Sequence, residues 1–299
     1  MANTNITVAK KNGFCLGLFD AMASPCEILV DGSNLTLTRQ LTQIAGDEAK
    51  RIEEKFSRYN PDSLCWAINN SQGKAVTIDQ ETWQLLEFAH QCYLISDGQF
   101  DITSGVLRKV WTFDGSDGVP TTDAINAILP LIGWQKVRYD QISVTLPAQM
   151  QLDFGGIGKE YAVDRVTALL RKAAPEVSVV VNFGGDICLT RAKADKTPWT
   201  IGIENPDEAG KPRSAALSII QGALATSGDA RRYLLKDGTR YSHILNPKTG
   251  WPIDDAPRSV TVAAGQCIEA GILATVALLH GVDAAAFLAA QGVKYWIQQ

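Results

Sequence analysis

The chain has 299 residues, of which 45% are hydrophobic and 20% charged, a composition that is ordinary for a globular protein with a sizeable core. Its formal net charge of −4 argues against nucleic acid or an anionic membrane surface as the main partner. No apolar run approaches the length of a membrane span, and the polar first 14 residues lack the apolar segment of a secretory signal. We therefore expect a cytoplasmic protein, or a periplasmic one if a leader has been removed.

The N-terminal half alternates hairpin and helix patterns. In chain order we expect a hairpin over 15–30, helices over 37–59 and 77–96, a short helix over 104–111, a surface insertion over 114–123, a short helix over 124–132 and a hairpin over 133–146.

The C-terminal half contains two glycine-rich turns. We expect a strand over 142–152, a helix over 161–173, a buried strand over 177–181, strands over 199–204 and 214–220 with a turn at 205–212 between them, a strand over 260–264 and a helix over about 269–280. Because helices and strands interleave irregularly, with several hairpins, the pattern favours an α+β fold over a doubly wound sheet.

Six cysteines are scattered along the chain with no Cys-x-x-Cys pair: Cys15, Cys26, Cys65, Cys92, Cys188 and Cys267. In a chain of this length, that spacing favours reduced, mostly buried thiols over a disulfide framework or a zinc site.

The first glycine turn, at 152–164, reads LDFGGIGKEYAVD. A strand, a glycine turn and a helix start bring free backbone N–H groups close to a ligand, and the positive end of the helix dipole favours an anion such as phosphate. Lys159 adds a formal charge there, and Asp153 could accept a hydroxyl, an amine or a metal. A turn with no ligand is the alternative.

Two familiar glycine motifs do not fit this turn. A P-loop requires Ser or Thr after its lysine, where this chain has Glu160. A dinucleotide fingerprint starting at Gly156 requires a small residue where this chain has Tyr161.

One of the three histidines stands in a setting that suits catalysis. His90 lies within an expected helix and His280 at the end of another, so both favour structural roles. His243 lies in a loop with Asn246 and Lys248 that two prolines and a glycine restrain. There is no Gly-x-Ser-x-Gly motif, which argues against a serine triad. With His and Lys beside expected phosphate-binding turns, phosphoryl or nucleotidyl transfer is the better class.

Several motifs, in a consistent order, resemble the ApbE family, the FAD:protein FMN transferases. They extend over nearly the whole chain and are MASP at 22–25, FSRY at 56–59, GQFDIT at 98–103, the 152–164 stretch, NFGGD at 182–186, ATSG at 225–228, YSH at 241–243 and PKTG at 247–250. A single match of this kind is weak, whereas this many in order is specific.

The resemblance implies a single α+β domain over 1–299, with mixed or antiparallel sheets and flanking helices. It also implies an Mg²⁺-dependent transferase that splits FAD, releases AMP and joins FMN by a phosphoester to a Thr or Ser of an acceptor flavoprotein. His243 would be the base that activates the acceptor hydroxyl, and Lys159 would offset phosphate charge. By motif position, the FAD contacts would be Met22, Tyr59, Gln99, Phe100, Asp101, Asp153, Lys159, Thr226 and Leu245.

The metal site that the resemblance implies uses a main-chain oxygen at Gly156 together with an Asp and a Thr near the last long helix. The corresponding residues here are Gly271 and Thr275. Glycine offers no carboxylate, and Mg²⁺ prefers hard oxygen ligands in near-octahedral geometry. Gly271→Asp is therefore expected to strengthen Mg²⁺ dependence.

Other residues near these motifs bear on that loss. Glu269 could replace the carboxylate only if the helix began after it, because residues two apart in a helix point about 200° apart. Glu160 stands where the family usually has glycine, and we expect it to face out of the turn. Asn246 stands where the family more often has Asp.

Three hypotheses follow from these departures. The first is a transferase with an altered metal site, the second an FAD-binding relative without transfer activity, and the third an FAD pyrophosphate hydrolase. Retention of His243, Lys159 and Asp153 favours an enzyme, whereas the glycine at 271 favours the binding protein.

Overall fold

The computed structural model describes residues 5–203, 215–229 and 232–299. Within these ranges the centre of the fold is an eight-stranded sheet in which every pair of neighbours is antiparallel. Its strands, in spatial order, are β1 (Thr7–Lys10), β2 (Phe14–Ala21), β3 (Ser24–Asp31), β7 (Val179–Phe183), β8 (Asp186–Leu189), β11 (Ala223–Gly228), β14 (Ser259–Ala264) and β15 (Lys294–Gln298).

Smaller sheets and the helices surround this centre. The remaining strands form a sheet of β4 (Ala75–Thr77), β6 (Ser143–Thr145) and β5 (Arg138–Tyr139), and the hairpins β9 (Trp199–Ile203) with β10 (Ala215–Ile219) and β12 (Tyr233–Lys236) with β13 (Thr239–Ser242). The α-helices are α1 (Leu35–Phe56), α2 (Leu64–Asn69), α3 (Gln80–Ile95), α4 (Thr122–Ile128), α5 (Gly158–Ala173), α6 (Cys267–Leu279) and α7 (Ala284–Ala290). Five 3₁₀ helices are also described: Ile102–Lys109, Leu129–Leu131, Trp134–Lys136, Phe154–Gly156 and Gly281–Asp283.

Different elements pack on the two faces of the large sheet. Alternate residues of β7 divide between them: Val179 and Val181 belong to the main core, and Val180 belongs to a second cluster with Trp199. Since neighbouring side chains of a strand point to opposite faces, α1, α5 and α6 cover one face, and β9 with β10 covers the other. The expected α+β fold with antiparallel sheets is confirmed.

Most expected elements are present, with shifted ends. The strand expected over 142–152 is wrong beyond Thr145, where β6 ends. Pro147 has no N–H to donate to a ladder, and Leu152 is held instead by the side chain of Asn69, which both donates to its carbonyl and accepts from its N–H, at 2.9 and 2.7 Å. The helix expected over 104–111 is a 3₁₀ helix that starts earlier, at Ile102.

Several elements were not expected, among them β1, α2, β8, β11, the β12–β13 hairpin, α7 and β15. The turn expected over 205–212 lies outside the described residues. Residues 114–118 are exposed, and their being an insertion stays a prediction. All six cysteines are buried free thiols, as expected. Among the described helices, none is both long and apolar enough to cross a bilayer.

Candidate functional site

The first glycine turn positions the start of α5. Asp153 caps the 3₁₀ turn Phe154–Gly156 by accepting the N–H of Gly155 at 2.8 Å. Ile157, at the N-cap of α5, makes no side-chain capping bond, so the first N–H groups of the helix have no side-chain cap. The expected glycine turn and helix start are confirmed, but α5 begins at Gly158, which places Lys159 and Glu160 in its first turn.

Arg58 holds the carboxylate of Asp153, a contact that the sequence analysis missed. Its Nη1 lies 2.9 Å from Asp153 Oδ2 and donates to the Gly105 carbonyl at 2.7 Å, while Nη2 donates to Gln151 Oε1 at 2.6 Å. The arginine side chain is only 10% exposed. The sequence held one indication of this contact. Arg58 lies in the FSRY motif two residues after the apolar Phe56, and an arginine that is buried needs a partner.

Lys159 lies where the two glycine turns meet. Its Nζ is 2.7 Å from Oδ2 of Asp186, the buried residue that follows the second turn and starts β8. A Cβ atom placed on Gly184, which has a φ of +62°, would lie 3.7 Å from the same Nζ. Burial alone would lower the pKa of Lys159, but the charges of Asp186 and Glu160 outweigh it and raise the pKa above its usual value. Lys159 therefore carries its positive charge at neutral pH.

Glu160 packs against α6, and the expectation that it faces out of the turn is wrong. A Cβ atom placed on Gly271 would lie 2.6 Å from Glu160 Cγ and 3.0 Å from Oε1. Glu160 Oε2 is buried and accepts no hydrogen bond from the described residues. Burial, followed by the charge of Asp186, raises the pKa of Glu160 to about 8.

The start of α6 excludes the replacement that the sequence suggested. The helix begins at Cys267, so Glu269 lies inside its first turn, and its side chain is exposed. Thr275 lies one turn after Gly271, and its Oγ1 donates to Ser227 Oγ at 3.2 Å. The 3₁₀ turn that contains Gly156 also contacts α6.

These groups form a donor set that suits a hard cation. Among the described residues, no three His, Cys, Asp or Glu side chains gather into a metal cluster. A cation between α5 and α6 would therefore draw on hydroxyl and main-chain oxygens as well as carboxylate. Oxygen-only ligation of this kind is what Mg²⁺ prefers, and the unpartnered Glu160 Oε2 fits it.

The loop at 243–252 places His243 beside two cations. Its Nδ1 lies 3.0 Å from the Arg232 carbonyl, a partner that only an N–H can satisfy, so Nε2 is the nitrogen left to accept a proton. Burial, the charge of Arg108 and then that of Arg232 lower the pKa of His243 to about 4. The imidazole is therefore neutral at physiological pH. Lys248 donates to the Asp97 carbonyl at 2.7 Å, which ties this loop to residues 97–101.

The remaining expected FAD contacts are distributed around these groups. Met22 lies in the β2–β3 turn with a φ of +52°, and its N–H donates to Glu53 Oε1 at 3.0 Å. Tyr59 is 78% exposed. Leu245 packs in the cluster around Trp111, Thr226 is exposed on β11, and Gln99 lies at the end of the loop after α3.

Phe100 and Asp101 have clear structural contacts. The ring of Phe100 is buried, and a Cβ atom on Gly156 would lie 3.1 Å from it. Asp101 Oδ1 caps the following helix by accepting from the N–H and Oγ1 of Thr103, and Oδ2 accepts from the Trp134 N–H at 2.9 Å. The helix-cap interpretation of Asp101 is confirmed, and its contact with FAD stays a prediction.

Two groups of expected residues emerge. In the first, Lys159 pairs with Asp186, Gly271 faces Glu160, and the N–H of Thr226 donates to Asp186 Oδ1 at 3.3 Å. Thr275 lies one turn after Gly271 and bonds to Ser227, the residue after Thr226. In the second group, Arg108 lies within electrostatic reach of Asp153, Tyr59 and His243. Arg58, Arg108 and Asp186 are the members that sequence reasoning left unassigned.

Comparison with known proteins gives one consistent result. The ApbE family matches residues 22–297. An FAD:protein FMN transferase of Klebsiella pneumoniae is 30% identical over 268 residues, covering 88% of this chain and 81% of the relative. The one from Vibrio cholerae is 30% identical over 240 residues, covering 78% and 71%.

Solved structures give the same result. The ApbE protein from Thermotoga maritima superposes with a TM-score of 0.85 at 30% identity, covering 95% of this chain and 94% of that one. The flavin transferase ApbE from Vibrio cholerae superposes with a TM-score of 0.78 at 25% identity, covering 98% and 93%.

Proposed function

Because the chain belongs to the ApbE family, we propose that it is an FAD:protein FMN transferase. It attaches FMN by a phosphoester to a Thr or Ser of an acceptor flavoprotein and releases AMP. The observation that carries the proposal is Lys159, a partly buried cation placed where two glycine turns meet the start of α5, which has no side-chain cap. Backbone N–H groups, the helix dipole and an ammonium converge there, which suits a pyrophosphate.

His243 is the proposed base. The acceptor hydroxyl oxygen forms a new bond to the phosphorus of the FMN half, the bond from that phosphorus to the AMP phosphate breaks, and the hydroxyl proton passes to Nε2 of His243. A neutral imidazole whose Nδ1 is fixed by the Arg232 carbonyl is suited to take that proton. Lys159 remains protonated and offsets the charge that develops on the departing AMP phosphate.

We assign the FAD contacts by motif position, as the resemblance implies. The exposed ring of Tyr59 and the thioether of Met22 are groups that can contact a flat ring ligand. Asp153, fixed by Arg58, is oriented before the ligand arrives, which reduces the ordering cost of binding.

Mg²⁺ is the proposed metal, held between α5 and α6. Gly156 would give a main-chain oxygen and Thr275 a hydroxyl, while Gly271 has no side chain to give. When bound, the ion would neutralise part of the pyrophosphate charge. We place the enzyme in the cytoplasm, which the six buried free thiols support.

The test is a reaction of the purified protein with FAD, Mg²⁺ and an acceptor domain that bears a target threonine. We expect intact-mass spectrometry to show an FMN adduct on the acceptor and chromatography to show AMP in equal amount. A matched acceptor with Ala in place of that threonine should stay unmodified. AMP with free FMN and no adduct would make the protein a hydrolase, and bound but intact FAD would make it a binding protein.

A further inference from the structure

Gly271 is an unusual residue in α6. Glycine in a helix interior is unfavourable because it loses more backbone freedom on folding than any other residue. Most other residues of α6 are apolar and buried. The structure shows why a glycine fits here: the side chain of Glu160 fills the space that a side chain at 271 would need. Glu160 and Gly271 therefore act as a complementary pair across two helices.

The carboxylate that fills this space shares the charge of a single lysine, Lys159, with Asp186. Asp186 Oδ2 forms an ion pair with the ammonium of Lys159 at 2.7 Å. Glu160 Oε2 is buried and accepts no hydrogen bond from the described residues. Asp164 adds a third carboxylate, which accepts the N–H groups of Cys267 and Ile268 at the start of α6. Burying a carboxylate beside other acids is strongly unfavourable unless a proton or a cation neutralises it, so a divalent cation would stabilise the charged form of Glu160 at this place.

We propose that Glu160, extended from α5 into the space left by Gly271, supplies the carboxylate of the metal site in this protein. The cation is a hard divalent ion, with Thr275 on the next turn of α6 as its hydroxyl ligand. The carboxylate thus comes from the helix opposite the one that the resemblance implies. The proposal rests on the proposed function for the role of the ion and on the contacts described here for its location.

The probe is Mn²⁺, whose free concentration is read by electron paramagnetic resonance, with Mg²⁺ as the competitor, both with and without FAD. Glu160→Gln keeps the volume and removes the charge, and we expect it to weaken Mn²⁺ binding at least tenfold. Glu269→Gln, which removes an exposed carboxylate from the first turn of α6, is the matched control and should leave Mn²⁺ affinity unchanged.

The reciprocal exchange separates metal binding from folding. Gly271→Asp alone places its side chain against Glu160, so it should weaken Mn²⁺ binding, contrary to what the sequence alone suggests. Glu160→Gly combined with Gly271→Asp should recover affinity to within a few-fold of the parent protein. Circular dichroism establishes that each variant is folded before its affinity is compared.

Three outcomes would overturn the inference: a parent protein that binds no Mn²⁺ under either condition, a Glu160→Gln variant with unchanged affinity, or a folded double variant no better than Glu160→Gln. The result is separable from the proposed function. A protein that binds Mn²⁺ through Glu160 yet transfers no FMN would remove the transferase and keep the metal site. A protein that transfers FMN but binds Mn²⁺ equally well with or without the Glu160 carboxylate would keep the transferase and remove the metal site.

Discussion

The environment of His243 determines both which nitrogen can act and at what pH. The Arg232 carbonyl fixes the proton on Nδ1, and burial together with the nearby guanidinium groups of Arg108 and Arg232 disfavours the imidazolium. Sequence alone found this histidine through its restrained loop. It could not find the two arginines, because one lies more than a hundred residues away and neither belongs to a recognisable motif.

The resulting prediction concerns the pH dependence of transfer. A base must be unprotonated, so the rate should fall as pH drops through its pKa and stay level above it. With the pKa of His243 lowered to about 4, kcat/KM should stay level between roughly pH 5.5 and 7, where an ordinary histidine with a pKa of about 6.5 would lose most of its activity. The measurement is a pH profile of kcat/KM for AMP release at saturating Mg²⁺, so that protonation of Glu160 does not change the metal occupancy.

A direct titration provides the control for that profile. The chain has only three histidines, so the His243 proton resonance can be assigned by comparison with His243→Ala, a variant that should bind FAD but transfer no FMN. Arg108→Gln should move the titration midpoint upward, because it removes a nearby positive charge. A midpoint near 6.5 in the parent protein, or transfer at an unchanged rate in His243→Ala, would contradict the assignment.

The packing of α1 on the sheet shows how elements hold the site in place. Gly17 of β2 is buried beneath α1, and a Cβ atom there would collide with Oγ1 of Thr42. Thr42 is itself fully buried, and its hydroxyl is bonded to the Thr38 carbonyl at 2.7 Å. The close approach sets the position of α1, and the end of that helix leads directly into Arg58 and Tyr59.

Gly17→Ala should therefore destabilise the protein by about 1–3 kcal/mol, the usual cost of overpacking a core. Urea unfolding followed by circular dichroism measures this as a lower midpoint with an unchanged slope. Combining it with Thr42→Ala should recover part of the loss, and the double-mutant cycle should show coupling. Additive effects would mean that the contact between β2 and α1 does not limit the packing.

The elements also show what sequence reasoning could reach. Regular apolar spacing predicted α1 and α3, and the valine run predicted β7, because each of these patterns follows from a buried face. Short edge elements such as β1 and β15 carry no such pattern, since none of their residues is fully buried. The pairing of Glu160 with Gly271 could not be predicted from the sequence. The two residues are 111 positions apart, and their contact depends on how α5 packs on α6.

At the scale of the whole molecule, the candidate site combines segments from almost the full length of the chain. Residues of the 56–59, 98–103, 152–164, 225–228 and 241–250 motifs lie on different elements. Yet the main core is one continuous cluster that runs from Phe19 to Leu288. A ligand that contacts all of these segments should stabilise the fold as one unit, which is what a single domain predicts.

Calorimetry with and without FAD tests this prediction. A ligand at about 100 times its Kd adds about 2.7 kcal/mol to the free energy of unfolding, which in a chain of this size corresponds to a rise in Tm on the order of 5 °C. We expect one transition that moves as a whole. Riboflavin, which lacks the pyrophosphate that Lys159 and the start of α5 would bind, should produce a smaller rise. Two transitions, or a shift of only one of them, would mean that the chain folds as separate domains and that the site belongs to one of them.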